Sequence, residues 1–253
     1  MRKRSQTVTV GLTEDDIPRL PGMVLTKRIL LGLINSQHDP MGLICPLLII
    51  LKINLRDLFG PGSDLGWDDA LPPGMHEKWV SVLSLFLSMD DIVISRAVRP
   101  EGIVDCPEIV GFADGSLMAY GCAIYIRWKK TKQMETDPNR YYVHLVCGKA
   151  RVTPLKGTTT PRSEISGYLI LTRMLKVVTS AMDVKPSRIT TAVDSQCTIS
   201  ASEKAGGLAV VWNVNDYNIN YLNPSERKDG FVGMCILAFQ VLTFQGTPQK
   251  ANF

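Results

Sequence analysis

Histidine is scarce in this chain, with three in 253 residues. The six cysteines, at 45, 106, 122, 147, 197 and 235, form no C-x-x-C pair and have no histidine at ligand spacing. These scarcities argue against the usual zinc frameworks. Several of the cysteines sit inside apolar runs, which reads as reduced, mostly buried thiols in an intracellular protein, cytoplasm and nucleus not being distinguished. Long apolar runs are missing too. A bilayer-spanning helix needs about 20 apolar residues, whereas Leu43 to Leu51 is broken by Pro46 and closed by Lys52, and Phe231 to Phe244 is short. Met1-Arg-Lys-Arg is basic, but Ser5 to Thr13 is polar rather than an apolar signal core. A membrane is therefore not an expected partner. No G-x-x-x-x-G-K-[ST] loop is present, and no small-molecule cofactor is expected. Nor is there an Asp-Thr/Ser-Gly of the kind that two aspartic-protease loops require; Asp114-Gly-Ser and Asp194-Ser-Gln have the wrong order.

What remains is an ordinary folding composition. The chain is 45% hydrophobic and 21% charged, which disfavours global disorder. A net charge of +4 permits a phosphate-rich partner without requiring one. Residues 1–23 carry little pattern and read as a tail. Residues 24–104 read as a small helical segment, with helices over Val24 to Asn35, Pro46 to Phe59 and Met75 to Ser88. Between the last two lies the turn-rich stretch "GPGSDLGWDDALPPG", with Trp67 as its anchor. Over 105–207 strand signals dominate: Glu108 to Asp114, Tyr120 to Trp128 and Tyr141 to Val152, the last two forming a hairpin around "KKTKQMETDPNR". A helix from Arg162 to Met182 follows, with Thr160 as N-cap and Pro161 at its first position. A fourth strand, Arg188 to Asp194, completes a βββαβ order, which predicts an α/β fold with a mixed sheet. Residues 208–253 carry no placeable pattern.

Three acids stand out. Tyr168, Leu171, Leu175, Val178 and Met182 recur at steps of three and four, the mark of one buried helix face. Glu164 lies four residues before Tyr168, at the head of that face, where an unpaired carboxylate is costly. A dipole or capping role for Glu164 is the plainer alternative. Asp114 and Asp194 each end an apolar strand. If those strands run parallel and adjacent, both aspartates emerge at the carboxyl edge of the sheet, where open α/β sheets build their sites. Converging carboxylates need neutralising, and hard oxygen donors favour Mg²⁺ or Mn²⁺. Such a cluster suits two-metal phosphodiester hydrolysis. Asp114-Gly-Ser taken alone is equally a favoured hairpin turn. Around the hairpin, Lys129, Lys130, Lys149 and Arg151, with Trp128 and Tyr141 between them, have the makeup of a nucleic-acid groove and equally that of a solvated edge. "LFLSMDDIVI" imitates a polymerase hairpin, but Ser88 stands where the tyrosine belongs and fewer than 90 residues precede it.

Several stretches, in order, carry a family resemblance: "LTKRILLGLI", "DPMGLICP", "GWDDALPPGMHEKW", "ISR", "GFADGSLMAYGCAIYIR", "KARVTPLKGTTTPRSEISG" and "AVDSQCTISA". The chain resembles the connection and ribonuclease H region of BEL/Pao-type LTR retrotransposon polyproteins, the Pao retrotransposon peptidase family. The resemblance implies a ribonuclease H-like fold, with Asp114, Glu164 and Asp194 as catalytic and metal-binding acids. It further implies an RNA–DNA hybrid as substrate, and other parts of a retroelement polyprotein as partners. The family's fourth acid falls in an Asn-Pro-Ala-Asp stretch, where this chain reads Asn223-Pro224-Ser225-Glu226. The alternative expectation is accordingly a decayed or domesticated remnant that keeps the fold and weak nucleic-acid binding without catalysis.

Overall fold

The computed structural model describes residues 14–88, 97–101, 103, 105–129, 141–193, 195, 198 and 219–221. The chain divides into two compact units, one of residues 1–40 and 47–91, the other of residues 41–46 and 92–253.

In the first unit a 3-10 helix, Glu14–Gly22, precedes α1 (Lys27–Ser36), α2 (Cys45–Asp57, whose first two residues belong to the second unit) and α3 (Pro73–Leu87). The 3-10 helix falls in the stretch read from sequence as a tail. Its two prolines interrupt α-helical bonding, and Leu20 is wholly buried. Thr26 caps α1, its hydroxyl accepting from the Ile29 N–H. The turn-rich stretch after α2 is tied back to α1. The Arg28 N–H donates to the Trp67 carbonyl, and the guanidinium holds Asp68 through two bonds of 2.7 and 2.9 Å. That pairing pulls the Asp68 carboxyl below its ordinary range. The Lys27 ammonium is buried, donating to the Leu65 carbonyl at 2.6 Å and lying 4.6 Å from the Phe59 ring. Trp67 packs on Phe59 at 5.3 Å while remaining half-exposed.

The second unit holds β1 (Glu108–Gly115), β2 (Ala119–Lys129), β3 (Tyr141–Val152), α4 (Thr160–Ala181), β4 (Arg188–Ala192) and β5 (Ile219–Tyr221). The sheet order is β3-β2-β1-β4-β5. β1 pairs antiparallel with β2, and β2 with β3; β4 runs parallel to β1 and to β5. This is the mixed α/β sheet expected from sequence, with the βββαβ order intact. α4 starts two residues earlier than Arg162. Its N-cap is Thr159 rather than Thr160, because proline is tolerated throughout the first turn, where its missing N–H leaves no bond unmade.

The apolar stripe of α4 packs on the sheet as its periodicity implies. Tyr168, Leu171 and Leu175 are buried with Ile109, Ala113, Cys122, Ile124 and Cys147, and Val178 and Met182 pack against this core. Gly111 lets Leu171 sink to the strand: a Cβ there would lie 2.7 Å from the leucine Cδ1. Burial pushes the Cys122 thiol up to about 12, with Cys147 and Cys45 nearby, and the Cys147 thiol to about 11. Cys106 is exposed and Cys45 half-buried, so the expectation of buried thiols holds for two of the four described cysteines.

Along its outer margin β3 meets the chain's own residues 41 and 42. The Gly148 N–H donates to the Met41 carbonyl at 2.9 Å. Gly42 adopts a φ of 67°, and a Cβ on it would lie 1.8 Å from the Gly148 oxygen. Only glycine satisfies both conditions.

Candidate functional site

Asp114 arises at the carboxyl end of β1. The strand alternates faces, with Ile109, Gly111 and Ala113 toward α4, and its last two residues are both buried. Asp114 is 8% exposed, and its Oδ1 accepts the Gly115 N–H at 2.6 Å. Burying a carboxylate at a strand end demands such bonds. The β1–β2 connection is short. The Ser116 hydroxyl accepts from Met118 and Ala119, and Thr153 donates its own hydroxyl to the Leu117 carbonyl at 2.6 Å.

Glu164 reaches the same end of the sheet from α4, and two glycines make the approach. A Cβ at Gly115 would lie 2.4 Å from the Ser163 carbonyl carbon and 2.5 Å from the Glu164 nitrogen. A Cβ at Gly167 would lie 2.6 Å from the Asp114 carbonyl oxygen. The backbones of β1's end and α4's first turns therefore touch where side chains would otherwise hold them apart. This contact joins the segments of Asp114 and Glu164. "DGS" and "EISG" carry the glycines, a signal legible only once the two segments are known to meet.

Asp194 lies outside the described residues. Its strand does run parallel to β1 as expected, and their last described pair, Phe112 with Ala192, stands two residues short of each aspartate. Val193 and Ser195 on either side are buried. Among the described residues no three His, Cys, Asp or Glu side chains form a metal-holding group. The donors at Asp114 and Glu164 are carboxylate oxygens, with no thiolate or imidazole beside them in sequence. That donor chemistry fits a hard divalent cation.

The basic residues divide. Lys149 and Arg151 are exposed and two apart on β3, so they share one face. Lys129 is exposed at the end of β2, and Lys130 lies outside the described residues. Arg127 is engaged with Glu108, its register partner across β1 and β2, and lies 4.6 Å over the Tyr141 ring. Trp128 is buried at 3% exposure and donates its indole N–H to the Val98 carbonyl. It packs with Ile103 and Ile126, with Arg99 5.4 Å over its ring. The tryptophan is thus core, not a stacking platform, and the interleaving of aromatics with lysines in sequence was a product of strand alternation.

Among the described residues no helix is long and apolar enough to cross a membrane. The polymerase-like "MDDIVI" falls on residues outside those described.

Comparison with known proteins gives one family: residues 26–195 match the model described as the Pao retrotransposon-like RNaseH-like domain. No curated protein matches the chain. Among solved structures, a foamy viral protease-reverse transcriptase dRH in complex with ds DNA is similar at 14% identity with a TM-score of 0.41, over 87% of this chain. The similarity covers only 36% of the foamy viral chain. LC11-RNase H1 in complex with an RNA/DNA hybrid is similar at 9% identity with a TM-score of 0.24, over 54% of this chain and 77% of that one.

Proposed function

The chain belongs to the Pao retrotransposon-like RNaseH-like domain family, and from that premise we propose that it hydrolyses the RNA strand of an RNA–DNA hybrid. The reading assigns Asp114, Glu164 and Asp194 to Mg²⁺ or Mn²⁺. A divalent cation bound there would supply water activation and stabilisation of the leaving oxygen. Asp114 is held by its bond from the Gly115 N–H, which fixes the carboxylate before any ligand arrives. Glu164 enters from the fifth position of a 22-residue helix whose stripe is anchored in the core, so its position is set by packing. Lys129, Lys130, Lys149 and Arg151 would meet backbone phosphates, which fix register without reading sequence.

One observation carries the reading: the close approach of Gly115 to the first turn of α4, which brings the segments of two acids from distant parts of the sequence to one sheet end. The test is Mg²⁺-dependent cleavage of a labelled hybrid by the full chain. Asp114→Asn, Glu164→Gln and Asp194→Asn should each lower the rate by about 100-fold or more. A second reading, a remnant that binds without turnover, is favoured by Ser225-Glu226 standing where the family's fourth acid falls. Hybrid binding with no cleavage by the unaltered chain would establish it.

A further inference from the structure

Tryptophan carries a large apolar surface that is costly to leave in water, and this chain leaves one there. Trp79 and Trp128 are 2% and 3% exposed, whereas Trp67 is 46% exposed. The stretch that presents it is firmly held. Within the first unit, residues 23–28 and 65–76 are laced together. The Arg28 and Leu71 N–H groups donate to the Trp67 and Leu25 carbonyls at 3.1 and 3.0 Å. The Lys27 ammonium donates to the Leu65 carbonyl, and the His76 ring to the Met23 carbonyl at 2.8 Å. The Asp69 carboxylate accepts the Gly66 N–H at 2.7 Å. None of these bonds uses the indole, so the fold fixes Trp67 in place without consuming it. Two more apolar side chains stand exposed on the same seam, Val24 at 64% and Met75 at 43%. A fixed, exposed aromatic beside further apolar surface has the makeup of an interface anchor, because it loses little freedom when a partner covers it.

Charge decides what kind of partner fits. From Asp57 to Glu77 the chain has five acids, Asp57, Asp64, Asp68, Asp69 and Glu77, and no lysine or arginine, although its net charge is +4. Arg56 engages Asp57, and Arg28 engages Asp68. Asp64, Asp69 and Glu77 are exposed and have no ion-pair partner among the described residues. Such a face repels phosphates and attracts cationic side chains. Arg28 already displays the favoured arrangement, its guanidinium 5.9 Å from the Trp67 ring centre and bonded to the Asp68 carboxylate. An arginine from outside would meet the same pairing of aromatic plane and carboxylate.

We propose that the seam around Trp67 is a docking surface for a basic segment of a partner protein, with the indole covered by an apolar side chain and Asp64, Asp69 and Glu77 facing its cations. The experiment uses the full chain in EDTA and a short fluorescein-labelled peptide alternating arginine and leucine. Peptides alternating arginine with serine, and glutamate with leucine, are the controls. Binding is followed by anisotropy for the wild type, for Trp67→Ala, and for Asp64→Lys combined with Glu77→Lys, with folding checked by circular dichroism. The charge-reversed variant breaks none of the bonds that lace the seam, so it serves even if Trp67→Ala fails to fold.

The arginine–leucine peptide should bind the wild type, and Trp67→Ala should weaken it about 30-fold. Charge reversal should weaken it about tenfold at low salt, a difference that shrinks as salt rises. The arginine–serine peptide should bind more weakly, and binding of the glutamate–leucine peptide should be no weaker in either variant. No binding by the wild type, or equal binding by all three proteins, overturns the proposal. Equal binding of the arginine–leucine and arginine–serine peptides overturns it too, since charge alone would then act. Two further measurements test other occupants. If Trp67→Ala weakens a labelled hybrid as much as the peptide, the face belongs to nucleic acid. If sedimentation shows a wild-type dimer that Trp67→Ala abolishes, the occupant is a second copy. Either result sinks the reading of a basic partner. Cleavage is never measured, so failure here is distinct from failure of the nuclease reading.

Discussion

Replacing Gly115 with alanine adds one methyl group at the point where β1 meets α4. Its Cβ would lie 2.4 Å from the Ser163 carbonyl carbon, 2.5 Å from the Glu164 nitrogen and 2.6 Å from the Ser163 oxygen. Ordinary contact begins at 3.4 Å, so the first turn of α4 must retreat by 3.4 − 2.4 = 1.0 Å. All three obstructing atoms are backbone, and no rotamer change relieves them. Overpacking of this kind costs about 1–3 kcal/mol. For a chain of this size that is a loss of roughly 2–12 °C in the melting midpoint. A displacement of about 1 Å near reacting groups costs about 100-fold in rate, so cleavage should fall more steeply than stability. The matched control is Gly32→Ala. Gly32 is exposed within α1, and a Cβ there would meet nothing within 4 Å. The same substitution should raise stability there by about 0.5–1 kcal/mol through helix propensity. Thermal melts of the two variants, followed by circular dichroism, decide the matter. If Gly115→Ala melts at or above the wild-type midpoint, the tight backbone contact is wrong, and the juxtaposition of Asp114 and Glu164 loses its support.

Leu171 is wholly buried against Gly111, so Leu171→Ala should cost about 2–5 kcal/mol, measurable by urea unfolding. The thiol shifts predict an alkaline limit. The Cys122 and Cys147 thiols are raised from 9.0 to about 12 and about 11, so the folded state holds their protons more tightly than the unfolded chain does. Their contribution is fully present below pH 9.0 and is lost as pH rises toward 12, with an unfolding slope that Cys122→Ala should flatten. At pH 8 a thiol reagent should modify exposed Cys106 quickly and leave Cys122 and Cys147 until the chain is unfolded, which mass spectrometry of the labelled peptides would resolve.

Much of this fold could be read before any coordinates, for reasons that particular residues make plain. The α4 stripe is legible because five apolar side chains keep helical spacing over fifteen positions, and the sheet buries that face. β1, β2 and β3 are legible because β-branched and aromatic residues cluster between turn signals, and their parallel or antiparallel sense follows from the length of each connection. Asp114 and Asp194 stand out as acids ending apolar runs. Three features were hidden. The 3-10 helix at Glu14–Gly22 was masked by Pro18 and Pro21, which break longer helices but fit a tight one. Trp128 looked available for base stacking because nothing local shows that Val98 takes its indole hydrogen. The roles of Gly115, Gly167 and Gly42 are tertiary, since each is defined by a backbone distant in sequence.

The clasp of Met41 and Gly42 on β3 has an implication for how this protein behaves in company. A bare terminal strand invites a stranger's strand to zip alongside it, and many proteins deter that with lysines, prolines or a bulge. Here the vacancy at Gly148 is filled by the chain itself, so recruitment along that side requires first prising off a piece of self. Loosening the clasp would therefore leave that margin open to a stranger's strand and make the protein more prone to clump.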